Sequence, residues 1–116
     1  MIKTDIELRY EAENARLRAQ LTKVAPAIIR GGFDLSSETL ARIIWRLYRA
    51  APEAWVPLYD LELEVNAVMP NENTTRVYVR RVRLALGNEF VETGTGGAGY
   101  RLSVDARARV AALMGD

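Results

Sequence analysis

The stretch that most restricts how this chain folds is Thr74–Leu102, TTRVYVRRVRLALGNEFVETGTGGAGYRL. Two periodicities meet there across a glycine. At 100° per residue, Thr75, Val79, Val82 and Leu86 fall on one side of a helix, the spacing of a core-packed stripe. Gly87 is placed to stop that helix. Beyond it, Phe90–Thr95 and Tyr100–Val104 alternate with period two around Gly96-Gly97-Ala98-Gly99, which predicts a β-hairpin. Arg76, Arg80, Arg81 and Arg83 lie within eight residues that contain no acid, and they project from the rest of the helix surface. A helix with one buried side and several outward guanidinium groups suits a DNA major groove.

The preceding chain supplies more helices. Residues 3–24 read as a Glu-, Ala-, Arg- and Leu-rich helix limited by Pro26, with Gly31-Gly32 breaking the chain before the globular part. A short heptad register places Lys3, Tyr10, Leu17 and Val24 at d and Glu7, Asn14 and Leu21 at a. Two readings stand. One is a homodimer formed through Tyr10, Asn14, Leu17, Leu21 and Val24; the other is an amphipathic helix packed on its own domain. Ile28-Ile29 and Phe33-Asp34-Leu35 are expected to form a small strand pair. Ser36 is expected to cap a helix over 37–51 that buries Leu40, Ile43, Ile44, Leu47 and Ala51, with Arg42, Arg46 and Arg49 on a solvated outer stripe. Pro57 opens a helix over 57–68 that buries Leu58, Leu61, Val65 and Val68. Asn73 or Thr74 caps the arginine-bearing helix. Ser103 or Asp105 caps a last short helix with Val110, Leu113 and Met114 inward.

With 116 residues, one domain with a helical appendage is expected. The fold class is α+β, mainly α: a winged helix-turn-helix of three helices and a C-terminal hairpin wing over 27–104. The N-terminal helix, residues 1–26, precedes it and the short helix, 105–116, follows. Absence of cysteine removes disulfides, thiolate zinc sites and cysteine nucleophiles. Absence of histidine removes the commonest general base and metal ligand. No enzyme, cofactor or metal site is expected. The start, MIKTDIELRY, has no apolar leader core, and no apolar run approaches membrane length, so a cytoplasmic, nucleoid-associated protein without a membrane partner is expected.

Net charge is only +1, but the charges are segregated. Ala50–Glu72 carries Glu53, Asp60, Glu62, Glu64 and Glu72 with no base, whereas Asn73–Ser103 carries five arginines against Glu89 and Glu92. An acidic side and a basic side follow.

Val77-Tyr78-Val79-Arg80-Arg81-Val82-Arg83-Leu84-Ala85-Leu86, Gly97-Ala98-Gly99-Tyr100-Arg101-Leu102 and Leu35-Ser36-Ser37-Glu38-Thr39-Leu40 together resemble the effector domain of OmpR/PhoB-type response regulators. The resemblance covers about 35–102. It implies a bacterial or phage transcriptional regulator that binds double-stranded DNA, with its third globular helix in the major groove and its wing on the backbone or minor groove. It carries DNA contact to Thr74, Tyr78, Arg80, Arg81 and Arg83. Thr75, Arg76 and the wing residues Thr95, Gly97, Tyr100 and Arg101 complete the expected set. The chain departs from that pattern in several places. No receiver domain and no N-terminal four-stranded sheet are expected, Gly96 stands at the usual wing arginine, and Arg76 replaces an aspartate.

Competing readings are blander. The arginines form a solvated face, paired with Glu62 or Glu64, or the module docks on RNA polymerase or another regulator. Gly94, Gly96 and Gly99 match a dinucleotide fingerprint but precede strand-like residues, so a wing turn is expected. Trp45, Trp55 and Phe90 read as core or near-core aromatics, and Asp60 and Glu64 as a solvated acidic face.

Overall fold

The computed structural model describes residues 9, 12, 13, 16, 24–65 and 72–115, without the side chains of residues 72 and 73. Residues 24–32 are helical and form α1. It runs past both Pro26 and the glycine pair. Its stop is Asp34, at φ 54. The Leu35 N–H donates to the Arg30 carbonyl at 2.9 Å and the Asp34 N–H to the Gly31 carbonyl at 3.3 Å. This paired 6→1 and 5→2 arrangement around a left-handed residue satisfies the last helical carbonyls. Ile28 and Ile29 are therefore helical, and the strand pair expected with Phe33–Leu35 does not form. Gly32 serves packing instead, since a Cβ there would run into the Leu113 side chain.

Ala25 and Ile29 are fully buried, so the end of α1 belongs to the core rather than to a detached appendage. Val24 and Ile28 stay exposed on its other side. The expected dimer residues Tyr10, Asn14, Leu17 and Leu21 lie outside the described residues.

Helix α2 spans Glu38–Arg49, capped by Ser37, whose hydroxyl accepts from the Thr39 N–H at 3.1 Å. The cap is one residue later than Ser36, and Ala51 lies beyond the helix, exposed. Leu40, Ile43, Ile44 and Leu47 point inward as the spacing requires. The C-terminus of α2 is closed from far along the chain: the Arg107 guanidinium donates to the carbonyls of Leu47 (3.2 Å), Tyr48 (3.2 Å) and Ala50 (2.8 Å). A cation on the exposed carbonyls of a helix end also meets the negative pole of its dipole.

Helix α3 is short, Leu58–Glu62, entered through Pro57 and followed by a turn over 63–65. It buries Leu61, and Val65 is buried in the turn. Val68, expected on the same stripe, lies outside the described residues. Helix α4 spans Glu72–Leu86, so Asn73 and Thr74 sit inside it instead of capping it. Thr75, Val79 and Val82 are buried, Leu86 packs at the edge of the core, and Gly87 ends the helix at φ 110.

Strands β1 (Val91–Thr93) and β2 (Tyr100–Leu102) pair antiparallel, with Val91 opposite Leu102 and Thr93 opposite Tyr100. Their connection makes a single 3-10 turn, Thr95–Gly97. Helix α5, Val104–Met114, is capped by the Ser103 hydroxyl and ended by Gly115. It buries Val110, while Leu113 and Met114 are only partly covered.

The fold is thus α+β and mainly helical, with a small two-stranded antiparallel sheet. One further contact organises it: Val56 bridges Tyr100, with N–H to carbonyl distances of 2.7 and 2.9 Å in the two directions. That bridge fastens the chain entering α3 to the hairpin. Trp45 and Phe90 are buried in the core, whereas Trp55 is half-buried outside it. No helix among the described residues is long and apolar enough to cross a membrane.

Candidate nucleic-acid interface

Burial of Thr75, Val79 and Val82 fixes how α4 is rotated about its axis, because these side chains fill the core beside α2 and α3. Rotation in turn fixes what faces outward. Arg76, Arg80 and Arg81 are exposed, and Arg81 lies 5.2 Å from the centre of the half-buried Tyr78 ring. Thr74 is half-buried at the first turn. Thr95 and Gly97 are exposed at the hairpin tip. Arg76, Leu58 and the hairpin residues Gly94 and Gly97 line one open cleft.

Four expected contacts are placed differently. Thr75 has no exposed surface, so its side chain meets the core and not a polyanion. Arg83 turns toward the hairpin: its Nε and Nη2 donate to the Val91 carbonyl at 3.1 and 2.8 Å, and Nη2 donates to the Thr93 hydroxyl at 2.6 Å. Tyr100 is half-buried in the sheet, its ring 5.9 Å from the Arg83 guanidinium. Arg101 leaves on the other side. It pairs with Glu92 at 3.4 Å and stacks 4.0 Å from the Trp55 ring centre. Successive strand residues point to opposite faces, so Tyr100 toward α4 entails Arg101 away from it.

Of the two acids expected opposite these arginines, Glu62 forms no ion pair among the described residues and Glu64 is engaged elsewhere. Asp60 pairs with Arg46 at 3.3 Å and Glu64 with Arg49 at 3.7 Å, both across the α2–α3 side. Such exposed pairs stabilise by only about 0.2–1 kcal/mol each. Their consequence is positional, because they hold negative charge on the side of α2 and α3. Arg80 makes no ion pair with any acid among the described residues.

Comparison with protein-family models, curated proteins and solved structures finds no match.

The candidate interface therefore rests on its own geometry: an arginine-bearing helix face beside a glycine-rich hairpin tip. Periodicity found the helix face. It missed Val56 and the direction of Arg83. A signal for Val56 was present in Gly99, since a glycine at a strand's edge marks close approach of another backbone. Arg83 carried no such signal, because it sits at the boundary between the buried stripe and the outer face.

Proposed function

We propose that this chain is a winged helix-turn-helix transcriptional regulator of bacterial or phage type, resembling OmpR/PhoB-type effector domains, that binds double-stranded DNA sequence-specifically in the cytoplasm, on the nucleoid. In this reading α2, α3 and α4 are the three-helix core and the β1–β2 hairpin is the wing. The observation that carries it is the exposure of Arg76, Arg80 and Arg81 on a helix whose opposite side is locked into the core.

The mechanism follows from the placement of charge. Helix α4 enters the major groove, where Arg80 and Arg81 bind phosphates and fix the pose. Arg76 and Tyr78 read base edges, an arginine bidentate to guanine discriminating by about 1–3 kcal/mol. The wing tip runs along the sugar-phosphate backbone, where Gly96 and Gly97 present no side chain to hold it away. Arg83 and Arg101 do not enter the count of phosphate contacts, since both are held by the protein itself.

The two phosphate-binding arginines set a measurable salt dependence. Log K for a duplex is expected to fall against log salt with a slope of roughly −2 per subunit. Fluorescence anisotropy of a labelled duplex across a salt series reads this directly. A flat dependence, or no binding at low salt, counts against the reading.

Homodimerisation through the N-terminal helix is part of the proposal. Its support in the described residues is Val24, at a heptad d position, and Ile28 four residues on, both exposed on α1 while Ala25 and Ile29 face the core. A second subunit adds a second half-site and raises affinity through effective concentration. Removing residues 1–22, short of the buried Ala25, is expected to leave a folded monomer. Sedimentation equilibrium that still finds a dimer after this truncation rejects the role of the helix.

One observation favours a second reading, docking on RNA polymerase or another regulator. Tyr59 and Leu63, a pair four residues apart at α3 and its following turn, are 70% and 73% exposed. Retention of random duplex fragments at low salt favours the DNA role over this one.

A further inference from the structure

We propose that Arg83 is a positioning residue, a strut that sets the wing against α4 so that helix and wing tip meet one duplex together. The inference rests on the DNA-binding reading and assigns Arg83 a role other than touching DNA.

The hairpin needs such a strut. It has three residue pairs, and an isolated two-stranded hairpin is marginal in water. Its orientation is therefore set by what it is tied to. On the β2 side the tie is Val56, bonded to Tyr100 in both directions. On the β1 side the pairing pattern leaves an opening. Ser103 donates to Phe90 and Gly94 to Gly99, which makes these the hydrogen-bonded pairs of the antiparallel ladder. The alternation turns the Val91 carbonyl outward, away from β2, along an open sheet edge. Val91 is itself almost wholly buried, so that carbonyl sits where lost hydrogen bonding is costly. Arg83 supplies the donors. Its planar fork reaches the Val91 carbonyl through two nitrogens and the Thr93 hydroxyl through one.

The same geometry argues against Arg83 as a phosphate ligand. Swinging out to DNA would break all of these bonds and strand the Val91 carbonyl. Arg80 and Arg81 are outward already. A lysine at position 83 keeps the charge but loses the planar fork that spans both acceptors. Charge and geometry can therefore be separated by substitution.

The test uses the full chain with Arg83→Lys and, as a variant that leaves Arg83 in place, Thr93→Val. Amide hydrogen exchange across residues 91–100 is read in the free protein, and duplex affinity is read across a salt series. Arg83→Lys is expected to speed exchange across the hairpin by about tenfold, the scale of a lost charge-assisted hydrogen bond. Exchange in α2 and in the core of α4 should be unchanged. Duplex affinity should fall by a similar factor with the salt slope as in the unaltered protein. Thr93→Val should move exchange and affinity in the same direction, by less. Wild-type exchange in both variants would overturn the strut. So would an Arg83→Lys protein that keeps full affinity while Arg83→Ala loses about one unit of salt slope, the mark of a phosphate contact. Failure of the unaltered protein to bind any duplex would overturn the DNA reading instead, with the exchange measurement still deciding whether Arg83 holds the wing.

Discussion

Replacing Arg80 and Arg81 together by alanine is expected to abolish duplex binding while leaving the domain folded. Both side chains are exposed, and their backbone sits on a helix held by the buried Thr75, Val79 and Val82. Surface substitutions away from caps and cores usually change stability by no more than about 0.5 kcal/mol. The contact of Arg81 with the Tyr78 ring adds about 0.5–1 kcal/mol at an exposed site. Thermal unfolding should therefore move by a few degrees at most. The effect on binding is far larger. Two charge-assisted arginine–phosphate contacts of about 1.5–3 kcal/mol each imply roughly a thousandfold loss of affinity. The salt slope of any residual binding should shrink by about two units. Circular dichroism and a duplex titration on the same preparation separate the two effects. Wild-type affinity in the double variant would remove α4 from the interface.

Gly99→Ala is the substitution expected to cost the most stability. Gly99 sits at φ 116, outside the regions open to L side chains. A Cβ there would run into the Val56 carbonyl and lie 2.9 Å from the Pro57 Cα. Backbone at that separation cannot rotate aside as a long side chain does. Relief requires either a new conformation at Gly99 or retreat of Val56 from Tyr100, which breaks both bonds of the bridge. Strain of about 1–3 kcal/mol combines with the loss of two backbone bonds of about 0.5–1.5 kcal/mol each. A loss of about 3–4 kcal/mol in denaturant unfolding follows, and a melting temperature lower by roughly 10–20 °C. Gly97→Ala makes the control. It also has a positive φ, 76, but open space around the missing Cβ, so only the smaller cost of conformational strain applies. Equal destabilisation by the two substitutions would mean that the approach of Val56 is not what Gly99 permits.

The elements were readable to unequal degrees, for identifiable reasons. Helices α2 and α4 follow from their apolar spacing, and the hairpin from alternation around four small residues. The end of α1 did not follow. Proline and paired glycines read as breaks, yet Pro26 and Gly31-Gly32 are helical and the stop is Asp34. Gly32 is there because Leu113 packs against its bare Cα, a contact made from the opposite end of the chain. Helix α3 proved shorter than its apolar spacing suggested, ending at Glu62 with a turn that buries Val65.

Among the candidate interface residues the same division holds. Arg80 and Arg81 lie well clear of the buried stripe, so helical geometry alone turns them outward. Arg83 lies at its margin, where a long side chain can take either direction, and the open carbonyl of Val91 decides it. The sequence groups Arg101 with the hairpin tip, yet pairing of Thr93 with Tyr100 toward α4 sends it to the far face, onto Trp55 and Glu92. Arg107 shows no local motif at all. Its three acceptors are carbonyls at the end of α2 and its cap residue Ala50, up to 60 residues away along the chain.

Periodicity and composition alone determined which sides of α2 and α4 are buried, that a glycine-tipped hairpin follows α4, and that acid and base are segregated along the chain. Those properties are local, set by 100° and 180° rotations per residue. Tertiary structure decided which arginines remain outward, where α1 stops, and how the hairpin is held. Each depends on acceptors or empty volume supplied by distant segments, and a guanidinium on a flexible stem goes where such an acceptor lies.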